Sequence, residues 1–369
     1  MRYHVNTAGD VKPCSASQKD CPFGFHSDSF EDSQRMYESA QSEEMFSDLK
    51  QNDSPRVEEA ALNAVLPRNS ELRKKGIKHE NELLEAAQKR VPLTSKQLES
   101  RLEYVNSMNA YLDNSGFNTE ELYSQDRIED APIYTDERAE MHEAIVNDFM
   151  KEHSDVPNDG QAVMAGGLGG AGKGFTMSSS GVVDQSKYAT VNPDDVKEEM
   201  AKRGMVPKVP GMTPMEASPL VHEEASHISK QIGFRLMREK KNMIYDVTMS
   251  GRGSSRKKLE QLTNEGYDTR AVFVDIEPAL SKERAKKRYR EGLEEYTVKH
   301  SGDGGRPLPN HLVDNQRSTV KGARSKNAVN LVALEKEGHF SERPAVFDNM
   351  GSSPERIEYS EFAGRMRTQ

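Results

Sequence analysis

A glycine-rich stretch near the middle of the chain carries the most specific chemical signal in the sequence. From Gly167 to Lys173 the residues follow the pattern G-x-x-x-x-G-K, directly after the apolar run Ala162–Ala165. Glycines let successive backbone N–H groups converge on phosphate oxygens, and the lysine adds a mobile positive charge at the terminal phosphates. The pattern predicts a nucleotide-binding loop made of Gly167, Leu168, Gly169, Gly170, Ala171, Gly172, Lys173, Gly174 and Phe175.

The residue after the lysine departs from this pattern. A serine or threonine usually follows, and its hydroxyl holds Mg2+, whereas this chain has Gly174. Thr176 is a poor substitute, because three residues further along a helix its side chain lies about 300° round the axis. We therefore expect Mg2+ to be held by waters, phosphates and a strand-end carboxylate, with Asp246 as the candidate metal ligand.

Polar residues also follow two later apolar segments. Asp194 comes shortly after the segment that ends at Val191, and Asp246 and Thr248 close the segment that begins at Asn242. In a phosphoryl-transfer enzyme one such carboxylate holds Mg2+ and another accepts a proton from the attacking hydroxyl. The alternative for Asp194 is a helix N-cap, since it follows Pro193.

Two arginines downstream have the right chemistry to bind phosphate. Arg288 lies in the basic run Arg284–Arg290, and Arg306 follows Ser-Gly-Asp-Gly-Gly in a segment that the glycines are expected to make flexible. A guanidinium group can bind phosphate oxygens through two hydrogen bonds, and mobile arginines close over phosphates in nucleotide kinases. The alternative for Arg288 is a solvated helical face.

The elements that must position these residues alternate between strands and helices. Strands are predicted at 162–165, 188–191, 242–247, 269–276 and 345–348, and helices at 194–203, 219–239, 253–265 and 281–294. This alternation predicts an α/β fold of P-loop NTPase type, with a doubly wound parallel sheet that binds ligands at the carboxyl ends of its strands. Helical periodicity over 33–114, clearest at 94–112, and again at 136–151 predicts a helical N-terminal region before the sheet.

Bulk composition limits the classes of function. The chain has 369 residues, a net charge of −9 and 30% charged residues, which argues against general nucleic-acid binding. No signal peptide or membrane-length apolar run is predicted, so the cytoplasm is the expected compartment. His4, Cys14, Cys21 and His26 could form a zinc site, but the spacing of the cysteines is unusual and a mobile leader with free thiols is the alternative.

Taken in order, these motifs resemble the zeta toxin family of P-loop kinases over about half of the chain, from Val163 to Asn349. The resemblance rests on the glycine loop with Lys173, the phrase Val-Asn-Pro-Asp ending at Asp194, Asp246-Val-Thr248, the pair Gly266-Tyr267, and the arginines Arg288 and Arg306. It implies ATP as cofactor and a small-molecule acceptor, which in the family is the sugar 3'-hydroxyl of UDP-N-acetylglucosamine.

The resemblance also implies roles for single residues. Asp194 would be the base for the sugar hydroxyl, and Lys173, Arg288 and Arg306 would stabilise phosphate. Asp246 and Thr248 would contact substrate, and His222 and Glu223 fall where the family builds more of the sugar-nucleotide pocket. Asp246 replaces the usual glutamate of the family and is one methylene shorter. The resemblance therefore does not determine which sugar is the acceptor. Adenylate kinases also have Gly-Lys-Gly, so Gly174 is compatible with phosphoryl transfer.

The N-terminal part has no counterpart in the toxin core. We divide the chain into a leader (1–30), a helical region (31–150), a kinase domain (151–350) and a tail (351–369). Because antitoxins of this family block the ATP cleft with a helix, the helical region could be a built-in restraint, or else a module for docking. A kinase for another acceptor, such as an antibiotic, nucleoside or RNA end, and a P-loop adaptor with degraded catalysis remain alternative functions.

Overall fold

The computed structural model describes residues 2–5, 11–14, 26–27, 55–128 and 131–366. The chain divides into two compact units, the first made of residues 1–68 and 120–139 and the second of residues 69–119 and 140–369. The predicted helical pattern over 33–54 and the candidate zinc ligand Cys21 lie outside the described residues. None of the helices in the described part of the chain is long and apolar enough to cross a membrane.

The first unit contains two small antiparallel sheets that the sequence pattern does not predict. One has the strand order β2-β1-β3, and the other is a hairpin of β4 and β5. Strands of two to five residues are too short to show a clear alternation of apolar and polar positions. Their bounds are β1 Arg2–Val5, β2 Val11–Cys14, β3 His26–Ser27, β4 Ser124–Ile128 and β5 Ala131–Tyr134. The zinc site stays a prediction.

The second unit is built on a six-stranded sheet. Its order is β11-β10-β9-β6-β8-β7, and all neighbouring strands are parallel except the edge pair β10 and β11. This confirms the predicted doubly wound parallel sheet, and the five predicted strands are its parallel members. The bounds are β6 Gln161–Gly167, β7 Ala189–Val191, β8 Met243–Asp246, β9 Asp268–Asp275, β10 Ala345–Asp348 and β11 Glu355–Ile357.

Fourteen α-helices lie in the described residues, and the predicted helices that fall there are all present. Short helices and the helix after residue 325 are additional to the prediction. The helices are α1 Pro55–Val65, α2 Glu71–Lys89, α3 Ser95–Asn114, α4 Thr119–Tyr123, α5 Asp136–Glu152, α6 Lys173–Ser180, α7 Pro193–Lys202, α8 Pro214–Ala217, α9 His222–Arg238, α10 Arg252–Asn264, α11 Pro278–Val298, α12 Asn310–Asp314, α13 Lys326–Lys336 and α14 Tyr359–Arg365.

Side chains that alternate along the central strands fill the core on both faces of the sheet. Met164 and Phe273 belong to a buried cluster on one face, together with residues of α10, α13 and α14. The neighbouring Val163 and Val272 belong to a second cluster, with Met177 of α6. Six of the seven residues of β6 are buried, so both faces of the sheet are covered at this strand. The loop after β6 therefore starts from the middle of the sheet, at the carboxyl end of its strands.

Helices α2 and α3 belong to the same compact unit as the sheet. Leu83 and Leu98 form a buried cluster with Tyr289 and Leu293 of α11. Thr94 starts α3 with a capping box, in which its side chain accepts from the Gln97 backbone and the Gln97 side chain accepts from the Thr94 backbone. The domain boundary at residue 150 stays a prediction, but these two helices pack against α11 of the same unit.

The contact of α2 with residues 210–211 leads to a first prediction. A Cβ added at Gly76 would lie 2.7 Å from the carbonyl oxygen of Pro210 and 2.5 Å from the Tyr104 hydroxyl. Alanine favours a helix over glycine, yet here it would push α2 away from its support. We expect Gly76→Ala to lower the free energy of unfolding by about 1–3 kcal/mol, measured by denaturant unfolding.

Gly253 provides the matched control, because it also lies in a helix but a Cβ there would meet nothing within 4 Å. Gly253→Ala should raise the free energy of unfolding by up to about 1 kcal/mol. Equal effects of the two substitutions would contradict the close approach at Gly76.

Candidate active site

The loop between β6 and α6 has the backbone conformation of a phosphate cradle. Gly167, Gly170 and Gly172 have φ values of 137°, 77° and 80°, a region that residues with a Cβ rarely adopt. A Cβ at Gly167 would lie 2.5 Å from the carbonyl oxygen of Val274, and one at Gly170 would lie 2.9 Å from that of Ser281. Glycine is therefore required at these positions by both conformation and space.

Two buried side chains hold the carbonyl groups of the loop. The Ser281 hydroxyl donates to the carbonyl oxygen of Gly169 at 2.5 Å, and the Asn349 amide donates to that of Ala171 at 2.8 Å. These bonds orient the loop so that its N–H groups are available on the opposite side. Within residues 55–128 and 131–366, no protein acceptor is recorded for the backbone N–H of Gly169, Gly170, Gly172, Lys173 or Gly174.

The predicted loop residues divide into a buried and an accessible set. The side chains of Leu168 and Ala171 are buried in a cluster with Val274 and Ile276, so they anchor the loop rather than face a ligand. Phe175 is exposed, and a Cβ at Gly174 would meet nothing within 4 Å. The absence of a hydroxyl at residue 174 is therefore not imposed by packing.

Thr176 is fully buried, and its hydroxyl has no hydrogen-bond partner among the described residues. Its burial in α6 agrees with the expectation that it does not replace the missing hydroxyl at residue 174.

Lys173 lies beside the predicted metal ligand. Its Nζ is 3.2 Å from Oδ1 of Asp246, and both side chains are partly accessible. The pairing follows from the sheet, because β6 and β8 run parallel in a register that places Ala165 next to Asp246. The loop lysine and the carboxylate at the end of β8 therefore share one end of the cleft.

The segment after β8 carries Thr248 and is held in a constrained conformation. The Thr248 hydroxyl donates to Ser250 at 3.0 Å, and the next residue, Met249, is buried with a φ of 59°. From α13, Asn327 donates to the Thr248 carbonyl at 2.6 Å and Asn330 to the Met249 carbonyl at 2.8 Å. Two asparagines that no motif in the sequence indicates thus fix the position of Thr248.

Asp194 does not cap its helix. The N-cap of α7 is Asn192, whose side chain accepts from the Asp194 backbone N–H at 2.9 Å, and Pro193 follows at the first helical position. The capping explanation for Asp194 is therefore wrong, since Asn192 already takes that role. The Asp194 carboxylate faces two cations instead.

Arg306 and Lys197 flank the Asp194 carboxylate. Arg306 Nη2 is 2.9 Å from Oδ2, and Lys197 Nζ is 3.3 Å from Oδ1. Partial burial alone would raise the pKa of Asp194, but the positive charges of Arg306, Lys197 and Arg288 hold that pKa below its ordinary value. Lys197 is buried, and its own pKa is lowered, because burial outweighs the attraction of Asp194. In the sequence, the only sign that Lys197 contacts Asp194 is its position three residues later on the same helix.

Asp195 has the opposite electrostatic surroundings. Desolvation raises its pKa to about 6, with further contributions from the negative charges of Glu198, Asp246 and Asp194. Its side chain is exposed, so solvent screening reduces this effect. The cleft thus contains one carboxylate that stays ionised and a neighbour that titrates closer to neutral pH.

Arg288 lies on the exposed side of α11. Desolvation and the charge of Arg306 lower its pKa, while Asp194, Glu198 and Asp246 oppose that change. These interactions place Arg288 in the electrostatic field of the cleft rather than on an isolated solvated face. Among the described residues it makes no ion pair within 4.0 Å.

His222 and Glu223 begin α9, and both are exposed. Desolvation and the charge of Lys197 lower the pKa of His222, while Glu223 and Asp194 act in the opposite direction. The structure therefore brings His222 within electrostatic range of Lys197 and Asp194, and Glu223 within range of Lys197, without a direct hydrogen bond to either.

The ion pair of Asp194 yields a second prediction. Because the folded-state pKa of Asp194 is lowered, its ionisation adds stability that is present above the unfolded-state pKa of about 4 and is lost as pH falls through the folded-state pKa. Arg306→Gln removes a positive charge and should raise the pKa of Asp194. We expect the free energy of unfolding to fall less between pH 7 and pH 3 in this variant than in the wild type, measured by urea unfolding.

The control is Arg306→Gln in a protein that also carries Asp194→Asn. There Arg306→Gln should change the pH dependence of stability much less, because only the weaker effect of Arg306 on Asp195 remains. An equal effect in both backgrounds would show that Arg306 acts on another group.

Comparison with solved structures finds distant likenesses. The PezAT chromosomal toxin–antitoxin system of Streptococcus pneumoniae has 15% sequence identity and a TM-score of 0.43, and the match covers 61% of this chain and 82% of that one. The complex of AvrRxo1-ORF1 with AvrRxo1-ORF2, solved with sulphate ions and with ATP, has 13% identity and a TM-score of 0.49 in each case. Those matches cover 68% of this chain and 81% of the other.

A comparison with curated protein sequences gives no match. The zeta toxin family matches residues 148–337, which is just over half of the 369 residues. The matched segment includes the glycine loop, Asp194, Asp246, Arg288 and Arg306. The chain therefore belongs to the zeta toxin family, whose members are ATP-dependent kinases.

Proposed function

We propose that this protein transfers the γ-phosphate of ATP to a hydroxyl group of a small molecule, with the sugar 3'-hydroxyl of UDP-N-acetylglucosamine as the acceptor that the family suggests. The proposal is carried by one observation, namely that Lys173, Asp194 and Arg306 meet at the same edge of the sheet as the glycine cradle. Phosphoryl transfer depends mostly on positioning and charge stabilisation, which these groups can supply.

The loop fits a nucleoside triphosphate. Its glycines leave no room for a Cβ at Gly167, Gly170 and Gly172. The backbone N–H groups of Gly169, Gly170, Gly172, Lys173 and Gly174 have no backbone acceptor among the described residues, so they are available to phosphate oxygens. ATP bound there would supply the phosphoryl group. Lys173, Arg306 and Arg288 would then hold negative charge on the phosphates, since guanidinium and ammonium groups suit phosphate oxygens.

The cleft also fits a magnesium ion, with Asp246 as its protein ligand and Thr248 beside it. Among the described residues there is no group of three or more His, Cys, Asp or Glu side chains that could hold a metal. Mg2+ needs fewer, because it keeps several waters and is usually bound through one or two carboxylates and the substrate phosphates.

Asp194 is the proposed proton acceptor for the attacking hydroxyl. Its carboxylate is partly exposed, is not used as a helix cap and is held by Lys197 at 3.3 Å. In the structure Arg306 lowers its pKa, which weakens it as a base. Movement of Arg306 from Asp194 to a phosphate would raise this pKa and make Asp194 a stronger base when the reactants are bound.

The acceptor is proposed to lie on the α7–α9 side of the cleft. Lys197, His222 and Glu223 provide hydrogen-bond donors and acceptors there, which suits a polar molecule with several hydroxyl groups. The acceptor itself, an antitoxin as protein partner and a cytoplasmic site of action are proposals that follow from the family.

Asp194→Asn tests the proposed base. The amide keeps the shape of the side chain but cannot accept the proton, so we expect phosphotransfer to fall by about 100-fold or more while ATP still binds. Product formation is measured by mass spectrometry with ATP and candidate sugar nucleotides, and ATP binding by calorimetry. Glu199→Gln in the same helix, where Glu199 pairs with Arg203, is the control and should keep wild-type turnover. Full activity of Asp194→Asn would exclude Asp194 as the base.

Gly174→Ser tests how the cleft holds magnesium. The added Cβ meets nothing within 4 Å, so the fold should be unaffected, and the hydroxyl restores the usual magnesium ligand. We expect the Mg2+ concentration that gives half-maximal turnover to fall several-fold. Gly174→Ala is the matched control, because it adds the Cβ without the hydroxyl and should leave the Mg2+ requirement unchanged. Identical Mg2+ dependence of the serine and alanine variants would contradict this account.

If the wild type neither binds ATP nor transfers phosphate, the P-loop adaptor with degraded catalysis becomes the better account. Gly174 is the observation that favours this second function.

A further inference from the structure

We propose that Arg101, in helix α3 and outside the family-matched segment, is a positioning residue for the phosphate-binding Arg306. Arg101 acts through a buried cluster formed with Glu216 and Tyr289, which we call the α3–α8–α11 hub. The inference rests on the proposed function, because it assigns a purpose to helices that precede the kinase fold. In this proposal α2 and α3 support the active site, instead of blocking it as a built-in inhibitor would.

The Arg101 guanidinium is buried and makes four hydrogen bonds, so that each of its three nitrogens has an acceptor. Its guanidinium Nε donates to Oε1 of Glu216 at 2.7 Å, and Nη2 contacts the other carboxylate oxygen. The remaining donors reach the carbonyl oxygens of His79 at 3.2 Å and Gly211 at 2.9 Å. Side-chain exposure is 1% for Arg101 and 0% for Glu216. A buried charge pair of this kind has one low-energy arrangement, so it fixes the elements that carry its members.

Glu216 passes this constraint to two further elements. It accepts from the Thr213 backbone N–H at 2.8 Å, within a capping box that starts α8. It also accepts from the Tyr289 hydroxyl at 2.6 Å. Tyr289 is fully buried in α11 and directly follows Arg288 in the chain. Through Glu216, Arg101 is therefore connected by hydrogen bonds to Thr213 and to α11, the helix that carries Arg288.

The segment that carries Arg306 packs on Thr213 and Tyr289. A Cβ at Gly304 would collide with the Thr213 side chain, and one at Gly305 would collide with the Tyr289 carbonyl oxygen. The Met215 backbone N–H donates to the carbonyl of Asp303 at 3.0 Å. The glycines before Arg306, which the sequence suggests as hinges, are thus required for close packing against the hub.

This arrangement explains why Arg306 can be held beside Asp194 without a rigid element of its own. Residues 301–309 contain no helix or strand, so their position is set by what they pack against. A displacement of about 1 Å at a catalytic group can lower turnover by about 100-fold. Loss of the hub should therefore reduce turnover through Arg306 even though Arg101 touches neither Asp194 nor the glycine loop in any recorded contact.

The test compares three variants of the full chain. Arg101→Met leaves Glu216 buried without its charge partner, and Tyr289→Phe removes one hydroxyl while keeping the ring. We expect kcat to fall about 10- to 100-fold in Arg101→Met and a few-fold in Tyr289→Phe, with KM for ATP within about twofold of the wild type. Met108→Ala is the control, since Met108 is buried in the same helix but lies outside the hub.

Hydrogen–deuterium exchange over residues 301–309 gives a readout that does not depend on activity. Exchange there should accelerate in Arg101→Met and Tyr289→Phe but not in Met108→Ala. The proposal is overturned if both hub variants match the control in kcat and in exchange, or if they raise KM for ATP while kcat is unchanged. If the wild type shows no phosphotransfer, the proposed function fails, and the exchange data still decide whether the hub positions this segment.

Discussion

The buried ion pair of Arg101 with Glu216 is the interaction on which the arrangement of the second unit depends. Removing two charges from water is costly unless every donor and acceptor finds a partner. Here the requirement is met by groups from four separate parts of the chain: α2 through His79, the turn at Gly211, α8 through Thr213 and α11 through Tyr289. One electrostatic requirement thus adds to the hydrophobic contacts of Leu83, Leu98 and Leu293 in holding these elements together.

Charge pairing also organises the cleft. Lys173 pairs with Asp246, and Asp194 lies between Arg306 and Lys197, so Lys173 and Arg306, two of the cations suited to phosphate, each contact a carboxylate. These pairs keep partly buried charges neutralised in the cleft. The pKa values of the neighbouring acids shift in opposite directions, because Asp194 has cations on both sides, whereas desolvation and then nearby negative charges raise the pKa of Asp195. The same groups that would bind reactants therefore set the pKa values of the candidate bases.

Much of the α/β fold could be predicted because its signals are local. The apolar runs at 162–165 and 269–276 are long enough to identify strands, and the glycine spacing before Lys173 is specific for a phosphate loop. The hairpin Ser124–Tyr134 has no clear sequence signal, because its strands are short, the first is mostly polar and the second contains a proline. The capping alternative for Asp194 was resolved only by structure, since Asn192 and Asp194 are both good caps in sequence.

By itself, the sequence determined the residue types of the loop, the alternation that builds a parallel sheet, and the strand ends that carry Asp194 and Asp246. Only the tertiary structure decided which partner each charged side chain takes. Arg306 contacts a residue 112 positions away, and Arg101 contacts one 115 positions away. The physical reason is that local patterns encode backbone conformation, whereas the partner of a charge is chosen by the packing of distant elements that must leave no buried charge unpaired.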